Sequence, residues 1–171
     1  PRPGRVSHDV AHLPGVLDVE PARIVPARLR AGTRNRTLAI TGLTAAPQLT
    51  RVIDRSRGPV ELPLDGLLLS QMLADVLGVS VGGTVLVQVL EGRRPVRELP
   101  VAALGGDRIG LQAYMRLEPR QRMLHDGDSV SSIALTMDPA ARDRFYAAVK
   151  TMPAIAGVER SVTNTFVGAD A

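Results

Sequence analysis

Apolar and polar residues alternate along several segments of this chain, and the alternation predicts half-buried β-strands. The segments are Val16–Leu29, Thr37–Leu43, Thr84–Leu90, Val96–Leu104 and Val130–Met137. Turn residues at Ala31–Arg36 join the first two segments into a hairpin, and Gly92–Pro95 join the third and fourth. Pro21 and Pro26 confine the first segment to edge or bent positions, because proline cannot donate a hydrogen bond to a neighbouring strand.

Helical periodicity marks a smaller share of the chain. The best helical stretches are Val6–Leu13, Leu67 or Leu69 to Leu77, and Ala140–Met152. Ser7 is the predicted cap of the first, and Gly78 is a glycine suited to the left-handed end of the second. Asp138 and Pro139 supply an N-cap and a first-turn proline for the third. Leu49–Ile53 and Leu117–Leu124 are weaker helical predictions, and Leu111–Met115 remains ambiguous.

Two similar turn sequences lie near the two ends of the chain. His12–Glu20 is echoed by Met152–Glu159, each with a proline after a helical stretch and a Gly-Val pair before an extended one. Proline cannot continue the helix, and the glycine lets the backbone turn. With Ala154–Val167 predicted as extended, the ends are expected to be two halves of one α/β unit into which the middle of the chain is inserted.

The composition limits the possible chemistry. The chain has 171 residues, of which 44% are apolar, but only two Tyr, two Phe and no Trp, so the core must be aliphatic and base stacking is almost excluded. No cysteine is present, which excludes disulfides, thiolate catalysis and zinc–thiolate sites. Leu67–Leu90 is too interrupted by polar residues and glycines to cross a membrane. Since no signal peptide is recognisable, the chain is expected to be cytosolic or a piece of something larger.

The formal net charge is +4, and Lys150 is the only lysine. The arginines fall into loose groups with acidic residues between several of them. The groups are Arg28, Arg30, Arg34 and Arg36; Arg51, Arg55 and Arg57; Arg93, Arg94 and Arg97; and Arg116, Arg120 and Arg122. This is not the continuous basic stripe of a nucleic-acid surface, so solvated faces are expected and an Arg-rich nucleic-acid binder is retained only as an alternative.

Candidate catalytic residues are few. His8 and His12 stand four apart, as in the H-E-x-x-H zinc signature but with Asp9 in place of Glu, which makes a small metal-dependent hydrolase an alternative. A third ligand would have to come from His125 or from a distant carboxylate. Ser70 lacks the G-x-S-x-G context of a nucleophile elbow. Asp126–Asp128 lacks the spacing of a calcium loop. No catalytic, metal or cofactor site is therefore predicted.

Several motifs follow one another along the chain: Leu13–Val16 ("L-P-G-V"), Ile40–Leu43, the helix-to-strand segment Leu67–Val85, Ala113–Met115 and the final strand-helix-strand ending at Val158. Their order resembles the extracytoplasmic domain of the FtsX/MacB-like ABC transporter permeases. The resemblance covers nearly the whole chain. Gly83 stands where the family pattern has an acidic residue after Gly82.

The resemblance implies an α+β fold in which a split α/β (βαβ-repeat) subdomain holds an inserted β-rich subdomain. Residues 1–44 and 129–171 would form the split, membrane-proximal part, and residues 45–128 the insertion. It also implies a non-enzymatic role at the extracytoplasmic face of the bacterial cytoplasmic membrane. The partners would be the membrane helices of its own permease, indirectly a cytosolic ATPase subunit, and a lipoprotein, adaptor or extracytoplasmic enzyme, but no nucleic acid. Exposed apolar residues of the insertion are the first candidates for partner contacts.

Overall fold

The computed structural model describes residues 3–44, 53–54, 58–105, 110–117 and 132–153, together with Pro47, Leu49 and Ile155. Its helices are α1 (Pro3–Ala11), α2 (Gln71–Leu77) and α3 (Arg142–Val149). Its strands are β1 (Val16–Ala31), β2 (Arg34–Leu43), β3 (Ile53–Asp54), β4 (Gly58–Pro59), β5 (Leu67–Leu69), β6 (Thr84–Val89), β7 (Val96–Leu104), β8 (Ala113–Arg116) and β9 (Ser132–Met137). This mixed, strand-rich arrangement confirms the α+β class.

Six of these strands close into a barrel. Following neighbours from β1, the order is β2, β8, β5, β7, β6 and back to β1, so every strand of the ring has a partner on both sides. Two neighbouring pairs, β2 with β8 and β5 with β7, are parallel, and the other four pairs of the ring are antiparallel. Closure leaves no open sheet edge within the ring, which protects strands this short from pairing with other chains.

The interior of the barrel is aliphatic, as the composition requires. Alternate residues of β1 point inward and are fully buried, and the inward residues of the other strands form one cluster with them. The largest members are Leu29, Ile40, Leu67, Leu69, Leu73, Leu77 and Val85. Since Leu73 and Leu77 belong to α2, this helix packs its apolar face onto the same core as the barrel strands.

The prediction that a helix begins at Leu67 or Leu69 is wrong. Leu67–Leu69 form β5, which lies between β7 and β8, and all three side chains are completely buried. A short apolar run surrounded on both sides can be a buried strand or a buried helix, and periodicity cannot separate them. The helix starts only after Ser70, and it ends at Gly78, whose φ of 70° confirms the predicted left-handed cap.

Strand β1 belongs to two sheets. From Arg23 onward it pairs with β2, and from Ala27 to Arg30 with β6. Its earlier part, from Val16 to Ala22, pairs antiparallel with β9. The partners of β1 therefore change near Ala22.

Other element boundaries differ locally from the sequence predictions. Helix α1 begins at Pro3, so Ser7 lies inside it and is not its cap. The hairpin turn of β1 and β2 is limited to Gly32 and Thr33, and the ambiguous segment before Leu117 contains strand β8. Helix α3 is preceded by a 3₁₀ turn at Pro139–Ala141, which Asp138 caps as predicted.

Two further predictions concern residues near or beyond the described ranges. Ile53, predicted to end a helical turn, lies in the short strand β3. The predicted helix Leu117–Leu124 and the predicted strand Ala154–Val167 fall almost entirely outside the described residues.

Candidate functional site

His8 and His12 lie close together on the surface of α1 and the turn after it. Their ring centroids are 4.2 Å apart, and His12 Nδ1 lies 2.7 Å from the carbonyl oxygen of His8. Because a carbonyl only accepts, Nδ1 carries the proton of that hydrogen bond and only Nε2 of His12 stays open to a metal. Within the described ranges no group of three potential ligands forms around this pair or elsewhere, and His125 lies outside them. A catalytic zinc site normally needs three protein ligands.

Ser70 is a structural residue. Its hydroxyl accepts hydrogen bonds from the N–H groups of Leu73 (3.3 Å) and Gln112 (3.1 Å), and it donates to the carbonyl of Gly110 (2.9 Å). The first bond caps α2, and the other two attach the chain before β8 to the start of that helix. The side chain is fully buried and engaged in all three bonds, so it is not placed to act as a nucleophile. Sequence reasoning considered Ser70 only as a nucleophile and missed this role.

Tyr114 contributes a buried hydroxyl to the outer side of the barrel wall. It packs with Ala22, Leu43, Leu62 and Leu68, and its hydroxyl donates to Gln112 Oε1 over 3.1 Å. Burial raises the pKa of Tyr114, because the phenolate would lose its hydration. The neutral phenol therefore serves packing and a single hydrogen bond.

The arginines of the barrel are mostly exposed. Arg23 is more buried: its guanidinium forms an ion pair of 3.1 Å with Glu91 in the turn after β6, and its side chain is only 12% exposed. Arg28 and Arg30 project from the outer face of β1, and Arg34 and Arg36 lie at the start of β2. Arg34 reaches the carbonyl of Asp75 in α2 over 3.4 Å.

Apolar side chains are exposed at scattered places in the described part of the predicted insertion. The larger ones are Leu64, Met72, Val81, Val96 and Leu111. Leu17, in the terminal part, is 71% exposed and lies at a β-bulge between Val16 and Asp18. Over the same described ranges, each helix is too short or too polar to cross a bilayer.

The chain is similar in fold to two solved structures. One is the periplasmic region of MacB from Actinobacillus actinomycetemcomitans, with a TM-score of 0.53 and 13% identity over 88% of this chain and 73% of that one. The chain has a MacB-like fold. The other is the extracellular domain of the noncanonic ABC-type transporter YknZ from Gram-positive bacteria, with a TM-score of 0.53 and 11% identity over 88% of this chain and 85% of that one.

No protein-family model and no curated protein matches the sequence, so the MacB-like assignment rests on the fold. It confirms the resemblance inferred from the order of the motifs. In this MacB-like fold the motif glycines make turns and close contacts. Gly15 and Gly78 adopt positive φ values of 76° and 70°, and a Cβ on Gly42 would lie 2.5 Å from Leu117 Cδ2. These motif glycines therefore have conformational and packing roles in the fold.

Proposed function

We propose that this chain is a non-catalytic extracytoplasmic domain of an ABC transporter permease, at the outer face of the bacterial cytoplasmic membrane. The observation that carries the proposal is the fold, which resembles the external domains of two ABC-type transporters over 88% of the chain. The identities are 13% and 11%, so the likeness supports the general kind of role. Any transported substrate has to be inferred from the surface chemistry of this chain.

The strand pairing supports a split terminal part. The beginning of β1 lies beside β9, so the two ends of the described chain come together in one sheet. Anchoring both ends in the same membrane is compatible with that arrangement. Ala27–Arg30 pair with β6 and Ile40–Leu43 pair with β8, and both partners belong to the predicted insertion. We therefore draw the division inside β1, with the terminal part before Ala22 and from β9 onward.

The proposed mechanism is mechanical. ATP hydrolysis by a separate cytosolic subunit would move the permease's membrane helices and, with them, the terminal part. Strand β1 runs unbroken for 16 residues, about 50 Å, through both sheets, so a tilt of its first half is passed to the barrel. A partner such as a lipoprotein, an adaptor or an extracytoplasmic enzyme would respond only if it contacts the two arrangements differently.

Cysteine labelling in the full-length protein tests the location. The chain contains no cysteine, so a single Ser80→Cys substitution at an exposed site places one thiol on the barrel. A membrane-impermeant maleimide added to intact cells is expected to label this variant. The matched control is Ala74→Cys, whose side chain is fully buried in α2 and should be labelled only after denaturation.

Labelling of Ser80→Cys only after cell lysis would overturn the proposal, because the barrel would then face the cytosol. Co-purification provides the second arm. The full-length protein in detergent is expected to bring down an ATPase subunit, and its isolation without one under mild conditions would contradict the transporter assignment.

A further inference from the structure

The β1–β2 hairpin is a basic element without carboxylates. From Pro21 to Leu43 the sequence contains five arginines and no Asp or Glu. Arg23 forms an ion pair with Glu91, and the other four arginines are exposed. They are Arg28, Arg30, Arg34 and Arg36. The hairpin therefore carries a concentrated positive charge on a rigid part of the barrel.

Arg28 and Arg30 share the outer face of β1. Arg28 lies opposite Thr37 of β2 and Gln88 of β6, and Arg30 lies opposite Asn35 and Leu86. Residues two apart on one face of a strand are separated by about 7 Å. Two guanidinium groups therefore stand side by side with uncharged neighbours on both flanking strands.

Neither of these arginines forms an ion pair with a residue of the described ranges. In the row that contains Arg30, the first carboxylate is Glu98 of β7, which lies opposite Leu86. Two strand spacings separate them, about 10 Å, which is comparable with the distance over which salt screens charges. Within the described ranges, the charge of the pair is thus largely uncompensated.

Apolar side chains lie on the same face, within about 13 Å of Arg28. Ile24 and Pro26 precede them on β1, and Val96 of β7 is 49% exposed and lies opposite Gln88. Exposed arginine beside aliphatic surface is the composition of protein interfaces. A single-stranded nucleic acid would favour stacking aromatics, whereas among the described aromatics Tyr114 and Phe145 are buried and Tyr146 lies on α3.

We propose that this hairpin face, formed by Ile24, Pro26, Arg28, Arg30 and Val96, binds an acidic extended segment of another protein. Carboxylates at alternate positions of an extended peptide lie about 7 Å apart, which matches the spacing of the two guanidiniums. Each guanidinium can donate two parallel hydrogen bonds to one carboxylate. Aliphatic residues next to those carboxylates would cover Ile24 and Val96.

The choice of a protein over a lipid surface rests on the proposed function. If the terminal part adjoins the membrane, Arg30 lies 14 residues along β1 from Val16, about 46 Å away. Headgroup charges are screened within about 10 Å. A protein that stands away from the bilayer, in contrast, can reach the hairpin face.

Peptide binding to the 171-residue chain tests this inference. The probe is a fluorescent ten-residue peptide of alternating Glu and Val, followed by anisotropy at low and at physiological salt. The test variant is Arg28→Gln/Arg30→Gln. Its matched control is Arg142→Gln/Arg144→Gln, which removes the same charge from exposed positions of α3. Loss of two charged hydrogen-bonded pairs is expected to weaken binding at least about tenfold, with little change in the control.

Three outcomes would overturn the proposal. The first is that the peptide does not bind at low salt, and the second is that both double variants weaken its binding equally. The third is that the chain binds phosphatidylglycerol vesicles through Arg28 and Arg30 but does not bind the peptide. Thermal unfolding of both variants verifies that they fold. Because the assay uses the isolated chain, its failure leaves the cysteine labelling of the full-length protein unaffected. The two proposals can therefore fail separately.

Discussion

The backbone N–H of Asp138 donates a hydrogen bond of 2.7 Å to the carbonyl oxygen of Gly15. This bond joins the turn after α1 to the residue that caps the 3₁₀ turn before α3. A side chain on Gly15 would collide with the Cβ of Ala141, so the turn after α1 and the 3₁₀ turn meet at a point where only glycine fits. The first of the two echoed turns is therefore a packing contact within the terminal part.

Replacing Gly15 should be costly for two separate reasons. Gly15→Ala must adopt a positive φ of 76°, and its methyl group must displace Ala141. We expect a loss of about 2–4 kcal/mol in the free energy of unfolding, measured by urea denaturation. The control is Gly32→Ala, which has a φ of 57° and no heavy atom within 4 Å of the added Cβ, and should lose only about 1–2 kcal/mol. Equal losses would show that the contact with Ala141 contributes nothing.

Substitution of Ser70 should destabilise the junction of α2 and β8. Ser70→Ala removes the cap of α2 and leaves the partly buried Gln112 N–H and Gly110 carbonyl without this partner. The expected loss is about 2–3 kcal/mol. Asp138→Ala, which removes an exposed cap from the 3₁₀ turn, is the control and should cost about 1 kcal/mol. A Ser70→Ala protein as stable as the wild type would contradict the assigned role.

Tyr114 should make stability fall at high pH. Its pKa is raised by burial, so above pH of about 10 the unfolded chain releases the phenol proton while the folded chain retains it. The folded state then binds more protons, and stability decreases by about 1.4 kcal/mol per pH unit until the folded pKa is reached. Urea unfolding between pH 9 and 11 measures this slope. Tyr114→Phe should flatten it and Tyr146→Phe should not. An unchanged slope in Tyr114→Phe would assign the effect to another group.

The histidine pair should be dispensable. His12→Ala removes one exposed hydrogen bond to the His8 carbonyl and should change the free energy of unfolding by less than about 1 kcal/mol. Treatment with EDTA should leave the thermal midpoint of the wild-type protein unchanged. Stoichiometric zinc in the purified chain, lost on His12→Ala together with a hydrolytic activity, would revive the metal-dependent hydrolase alternative.

Local chemistry determined much of this structure in advance. The Gly78 end of α2, the Asp138 cap and the two hairpins follow from conformational preferences of a few neighbouring residues, and alternation placed β2, β6 and β7. The aliphatic composition correctly predicted the aliphatic interior of the barrel. The order of turns also sufficed to indicate the MacB-like fold, because glycines at close contacts tolerate few substitutes.

Tertiary structure alone decided the rest. Barrel closure depends on pairings between distant segments, such as Ile40 with Ala113, which no local pattern encodes. The same pairings made Leu67–Leu69 a strand, since burial between β7 and β8 overrides the helical spacing of the leucines. Because the helix begins only after this strand, Ser70 is its N-cap, a role that the sequence did not reveal. The surroundings of Arg28 and Arg30 were also decided by strand pairing. The sequence shows that side chains alternate along a strand, but only the pairing with β2 and β6 gives these two arginines uncharged neighbours on both sides.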